Sequence, residues 1–128
     1  MAFRVEQDGH SFLLDASPEW GGSDSGPRPK ALLLSGLIGC TGMDVVSILG
    51  KMKIEGYGLR IRADADYTEE HPVVFRSIHL TYVFSGDDLP ADRIRRAVEL
   101  SQEKYCGVSA ILSCSAGMTW EIRYGEGG

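Results

Sequence analysis

Three side chains in this sequence can act as sulfur nucleophiles: Cys40, Cys106 and Cys114. Cys40 lies in SGLIGCTGMDVVSIL, Ser35 to Leu49, an apolar or small-residue run whose one carboxylate, Asp44, comes a helical turn later. On a helix these two share a face. Thiolate is the reactive form of cysteine, and a nearby carboxylate disfavours it. Asp44 therefore does not activate Cys40; it could orient an arginine that does, or cap a neighbouring strand or turn. Cys106 comes after one helical segment and precedes Gly107 and a new helix start, where main-chain amides can favour thiolate. A lone cysteine is most often a small apolar side chain or a tolerated surface thiol, and those readings stay open for Cys40 and Cys106. Cys114 lies near a loop and carries no local signal.

The same residues could suggest metal chemistry, but their spacing does not. Structural zinc sites show ligand pairs at C-x₂₋₄-C spacing. Here the closest thiols are Cys106 and Cys114, and His10, His71 and His79 are scattered. Gly36, Gly39 and Gly42 come after no strand and lead to no Lys-Ser ending, so no phosphate loop is indicated.

These side chains need a scaffold, and the composition limits its kind. The chain has 128 residues, 43% hydrophobic and 24% charged, as in an ordinary soluble domain. We expect a single domain over residues 1–128. A net charge of −5 argues against a nucleic-acid or anionic-membrane partner. The opening residues show no basic segment leading into an apolar run, so no signal peptide is expected. An odd, unpaired cysteine count suits a reducing cytoplasm. Asp44 in the middle of the apolar run would cost about 2.5–3.5 kcal/mol in a bilayer, which argues against a membrane span.

Hydrophobic periodicity lays out the elements. Phe3–Val5 and Phe12–Leu14 flank Asp8-Gly9, a type I′ hairpin signal. Glu19 to Pro29 reads as loop. Lys30 to about Ile54 reads as one helix, apolar almost all round and hence buried on every side, with Gly56 as its stop. Tyr57–Tyr67 alternates without error, and Val73–Phe84 pairs with it, placing Val74, Ile78, Leu80, Tyr82 and Phe84 on the dry face. Pro90 opens a surface helix to about Tyr105 with a narrow inner stripe of Ile94, Ala97, Val98 and Ser101. Gly107 would close it, Ser109 would cap a short turn over Ala110–Cys114, and Met118–Tyr124 would form a last strand. The fold class is α+β. A helix without a polar face, fringed by Ser35, Gly36, Gly39 and Gly42, invites the same helix from a second copy; within one chain the surface helix could cover it instead.

Taken together, Gly39-Cys-Thr-Gly-Met-Asp-Val-Val, Lys104-Tyr-Cys-Gly-Val-Ser-Ala-Ile-Leu, His71-Pro-Val-Val-Phe and Gly86-Asp-Asp-Leu resemble the OsmC/Ohr family of thiol-dependent hydroperoxide reductases. The resemblance implies antiparallel sheets wrapped around a long central helix, in an entwined cytoplasmic homodimer. It implies Cys40 as the thiol that attacks an organic hydroperoxide and Cys106 as the thiol that resolves it, with a dithiol reductant restoring both. It implies no metal and no organic cofactor. Lys30 and Ala31 come after Pro29 where hydroperoxide-reducing members carry a glutamate. The family's arginine has two candidates, Arg4 and Arg28; Arg28, just ahead of the helix, and Asp44 are the groups that could stabilise or orient the thiolate. Without the glutamate, the alternative is a non-catalytic dimeric module that binds a small apolar or thiol-reactive ligand.

Overall fold

The structure, a computed structural model, describes residues 1–125. The chain divides into two compact units, Met1–Gly36 and Leu37–Gly128, and the boundary falls inside the first long helix.

In the first unit, β1 (Phe3–Gln7) and β2 (His10–Leu14) pair antiparallel, with Gln7 opposite His10. Asp8 and Gly9 take φ of 51° and 80°, as the Asp-Gly turn requires. The next loop winds around Asp15, which is buried. Its carboxylate accepts from the amides of Ala16, Ser23 and Ser25 and from the Ser25 hydroxyl. Those donors hold the Asp15 carboxyl far below the usual carboxylate range, the Ser25 hydroxyl contributing most. Two glycines make the winding feasible: a Cβ at Gly22 would strike the Ala16 carbonyl, and one at Gly26 the Leu13 carbonyl.

Helix α1 spans Pro29–Lys51. It ends earlier than Gly56. Lys53 adopts φ of 61°, and the amides of Lys53 and Ile54 bond the carbonyls of Gly50 and Leu49, each at 3.0 Å. This is a Schellman close with lysine in the left-handed position, and the buried Leu49 and Ile54 are its apolar pair. Nor is α1 buried all round. Leu37, Thr41, Val45 and Leu49 form one fully buried stripe, whereas Met43 is 77% and Val46 49% exposed. One sheet and one covering helix shield only one side of a rod. By length and composition α1 could cross a bilayer, yet Thr41 and Asp44 hydrogen-bond into the core of the second unit.

That unit is built on a three-stranded sheet in the order β3 (Gly58–Tyr67), β4 (Phe75–Ser85), β5 (Gly117–Tyr124). β3 and β4 are antiparallel, with a register shift at Asp66/Tyr67. Beyond the shift Phe75 is buried and Val74 is exposed, reversing the expectation for Val74. β5 runs parallel to β4, so the sheet is mixed rather than wholly antiparallel. A parallel pair needs a crossover. Here it is α2 (Ala91–Leu100), a π turn (Ser101–Tyr105) and α3 (Gly107–Leu112). Ile78, Leu80, Tyr82 and Phe84 of β4 and the expected stripe Ile94, Ala97, Val98 and Ser101 are all fully buried. Gly107 does not close a helix, and Ser109 does not cap one. Cys106 caps α3: its Sγ accepts the Ser109 amide at 3.4 Å.

Candidate active site: two thiols, a carboxylate and a hydroxyl chain

Cys40 and Asp44 sit one turn apart on α1. Cys106 reaches the same place from the far end of the π turn, where its amide bonds the Ser101 carbonyl at 2.7 Å. The extra residue of a π turn rotates the next segment of backbone relative to its course in an ordinary helix. The Cys40 Sγ, the Cys106 Sγ and an Asp44 carboxylate oxygen lie within 4.8 Å of one another. Cys106 is 4% exposed, while Cys40 and Asp44 are half-buried.

The polar partners of this cluster form a continuous chain. The Ser101 hydroxyl donates to Asp44 Oδ2 at 3.0 Å. Thr41 Oγ1 lies 2.8 Å from Ser101 Oγ and 2.7 Å from Tyr82 Oη. A carboxylate only accepts, which sets the directions: Tyr82 donates to Thr41, Thr41 to Ser101, and Ser101 to Asp44. The Gln102 amide nitrogen donates to both Thr41 Oγ1 (3.1 Å) and Tyr82 Oη (3.0 Å). Its Oε1 accepts from the Ser109 hydroxyl at 3.1 Å, and the Ser109 amide donates to Cys106. One network thus joins the carboxylate beside Cys40 to the sulfur of Cys106. Among the described residues no buried side-chain N or O lacks a hydrogen-bond partner.

Electrostatics separates the members. Burial pushes the Cys106 thiol up; the Ser109 hydroxyl and amide oppose that, and neighbouring Cys40 adds to it. Burial pushes Tyr82 up to about 12, against its hydrogen bonds with Thr41 and Gln102. Beside Asp44, a cavity of about 370 Å³ is lined by Asp44, Ser47, Ile48, Lys51, Leu100 and Tyr105. A larger hollow of about 560 Å³ is lined by residues such as Arg60, His79 and Arg123, and neither thiol of the pair lines either cavity.

Of the residues singled out in the sequence, Cys40, Asp44 and Cys106 come together. The guanidinium of Arg28 donates to Asp24 at 2.7 Å and to the Gly26 carbonyl at 3.1 Å. Cys114 is exposed, its Sγ on the Ala110 carbonyl. Sequence reasoning does not reach Thr41, Tyr82, Ser101, Gln102 and Ser109 as members of the site. Two of them carry a signal: Thr41 is a hydroxyl in the buried stripe of α1, and Ser101 closes the apolar stripe of α2.

A family model described as OsmC-like protein matches residues 22–122. Protein YhfA of Escherichia coli (strain K12) is 34% identical over 111 residues, covering 87% of this chain and 80% of that protein. The OsmC-like protein from Mycoplasma pneumoniae superposes with a TM-score of 0.80 at 17% identity, over 98% of this chain and 89% of that one. An organic hydroperoxide resistance protein from Elizabethkingia anophelis does so with a TM-score of 0.70 at 13% identity, over 97% and 94%. The α+β architecture expected from the sequence is shared with these structures, and the chain belongs to the OsmC-like protein family.

Proposed function

We propose that this chain is a soluble, cytoplasmic thiol peroxidase, one OsmC-like domain over residues 1–128, that reduces organic hydroperoxides as a homodimer. The observation that carries the reading is the juxtaposition of the Cys40 and Cys106 sulfurs within 4.8 Å, one half-buried and one buried. The half-buried Cys40 thiolate attacks an oxygen of the hydroperoxide. The O–O bond breaks, an alcohol leaves, and Cys40 becomes a sulfenic acid. Cys106 sulfur then displaces the hydroxyl as water, forming a Cys40–Cys106 disulfide, and a dithiol reductant returns both thiols by exchange. Ile48, Leu100 and Tyr105, in the cavity beside Asp44, offer apolar surface that an alkyl group would gain by covering, which hydrogen peroxide lacks. Proteins of similar fold are named for organic hydroperoxide resistance. The exposed Met43 and Val46 belong to the face that a second copy would cover.

The test is consumption of cumene hydroperoxide with dithiothreitol as reductant. Cys40→Ser abolishes turnover, and substoichiometric oxidant yields a Cys40–Cys106 disulfide on peptide mapping. Turnover undiminished in Cys40→Ser ends the proposal. A second reading draws on Asp44, since the ionisable side chain grouped with the two sulfurs is a carboxylate and not a cation. It is a dimeric module that binds a small apolar or thiol-reactive ligand, and thermal stabilisation by such a ligand without hydroperoxide turnover selects it.

A further inference from the structure

We propose that Cys40, Cys106 and Asp44 chelate one thiophilic divalent cation, zinc by donor chemistry, and that its binding locks the thiol pair in the reduced state. Three donor atoms, two sulfurs and one carboxylate oxygen, already lie within 4.8 Å of one another. Around a tetrahedral zinc, with bonds of about 2.3 Å to sulfur and about 2.0–2.2 Å to oxygen, donors sit roughly 3.5–3.8 Å apart. Closing on an ion thus needs a contraction of at most about 1.3 Å, within reach of side-chain rotation. Two thiolates select zinc over magnesium or calcium, which prefer all-oxygen shells.

The surroundings supply what a metal site needs beyond its donors. The Ser101 hydroxyl, itself bonded by Thr41, fixes one Asp44 oxygen, and the Ser109 amide fixes the Cys106 sulfur. Such outer partners orient ligands and tune them. Half-buried Cys40 and Asp44 give the ion a way in. Three protein donors leave a fourth position for water or an incoming thiol. The sequence spacing hid this site because its donors come from two separate helical segments.

On binding, both thiols release their protons to solvent and become thiolate ligands. A disulfide removes two of the three donors, so zinc and oxidation exclude each other, and each opposes the other through the same coupling. Oxidation of the loaded site by an organic hydroperoxide balances as zinc dithiolate plus hydroperoxide plus two protons giving disulfide, free zinc, alcohol and water. The lock against hydroperoxide rests on the function proposed above; cation binding itself does not.

The experiment titrates the reduced full-length chain, without oxygen, with zinc against a chromophoric chelator, and with cobalt to read thiolate-to-metal charge transfer. We expect one equivalent per chain and a charge-transfer band. Cys40→Ser and Cys106→Ser each weaken binding at least about a hundredfold and reduce the band. Asp44→Asn weakens it at least about tenfold, Ser101→Ala less, and Cys114→Ser not at all. Circular dichroism confirms that each variant is folded. Absence of binding, or wild-type affinity in folded Cys40→Ser or Asp44→Asn, overturns the site. One equivalent of zinc should also suppress iodoacetamide labelling of Cys40 and stop cumene hydroperoxide turnover, both restored by chelator. Labelling that proceeds unchanged with zinc bound overturns the lock. If chelator-stripped protein never turns over while zinc still protects Cys40, the peroxidase reading falls and the cation site stands.

Discussion

The Ser101 hydroxyl donates to the Asp44 carboxylate across 3.0 Å, joining the π turn to α1 at the level of the two thiols. That bond fixes the sense of each hydroxyl behind it, ending at Tyr82. Buried polar groups are costly when unpaired and rigidifying when every member is satisfied. The chain therefore holds the segment that delivers Cys106 to Cys40.

Thr41→Val keeps the shape of the side chain and removes the hydroxyl. Tyr82 Oη then loses its acceptor and Ser101 Oγ its donor, both fully buried. We expect a loss of about 1–3 kcal/mol in urea unfolding. Cys40–Cys106 disulfide formation under limiting oxidant should slow at the same time. Full stability in Thr41→Val would mean that the chain contributes nothing.

Tyr82 gives an alkaline signature. Its folded pKa, about 12, lies above the unfolded value near 10 because the side chain is fully buried. A group that holds its proton more tightly when folded stabilises the fold below the unfolded pKa and loses that contribution as pH rises through the folded one. The window is thus roughly pH 10 to 12, with a contribution of up to about 3 kcal/mol. The urea midpoint of the wild type should fall across this window more steeply than that of Tyr82→Phe. Parallel curves would contradict the burial of the phenol.

Cys106 should be the slow thiol. Burial raises its pKa, so little thiolate is present near neutrality, and the side chain is only 4% exposed. Time-resolved peptide mapping with iodoacetamide should find Cys114 alkylated well before Cys106. The Cys106 rate should still be climbing above the pH at which an ordinary thiol has levelled off. Equal rates for both thiols at about pH 7 would place Cys106 outside the core.

Local pattern makes much of this fold legible. β3 is plain because a half-buried strand alternates with period two, and the hairpin because Asp8-Gly9 suits two positive φ angles. Features that depend on distant pairing are not legible. Nothing local in Met118–Tyr124 says that it runs parallel to β4, and nothing in Gly107 or Ser109 says that a π turn makes Cys106 the cap. Cys40 and Cys106 are individually visible, but their pairing enters only through a family resemblance. Tyr82 and Gln102 join the site through long-range contacts, so periodicity places Tyr82 in the core without hinting at its hydrogen bonds.

Asp15 gives the acid counterpart to Tyr82. Its folded pKa is depressed, chiefly by the Ser25 hydroxyl and then by the amides of Ser25, Ser23 and Ala16. A depressed carboxylate stabilises the fold above its unfolded pKa, near 4, and loses that contribution as pH falls towards the folded value. The wild-type urea midpoint should therefore drop below about pH 4 more steeply than that of Asp15→Asn, which cannot titrate. Matching acid limbs would show that the loop does not depend on the charge.

Lys53 tests the close of α1. It holds φ of 61°, in a region that costs a side-chain-bearing residue roughly 1–2 kcal/mol and glycine almost nothing. Lys53→Gly removes that strain but gives the unfolded chain more freedom, which returns part of the gain. It also removes a cation near the helix C-terminus, worth a few tenths of a kcal/mol at a surface. The balance predicts stabilisation of about 0.5–1 kcal/mol by urea unfolding. Lys53→Ala keeps a Cβ in the left-handed region and should show no such gain. If Lys53→Gly is the less stable of the two, the helix does not end in the Schellman geometry formed by the Lys53 and Ile54 amides.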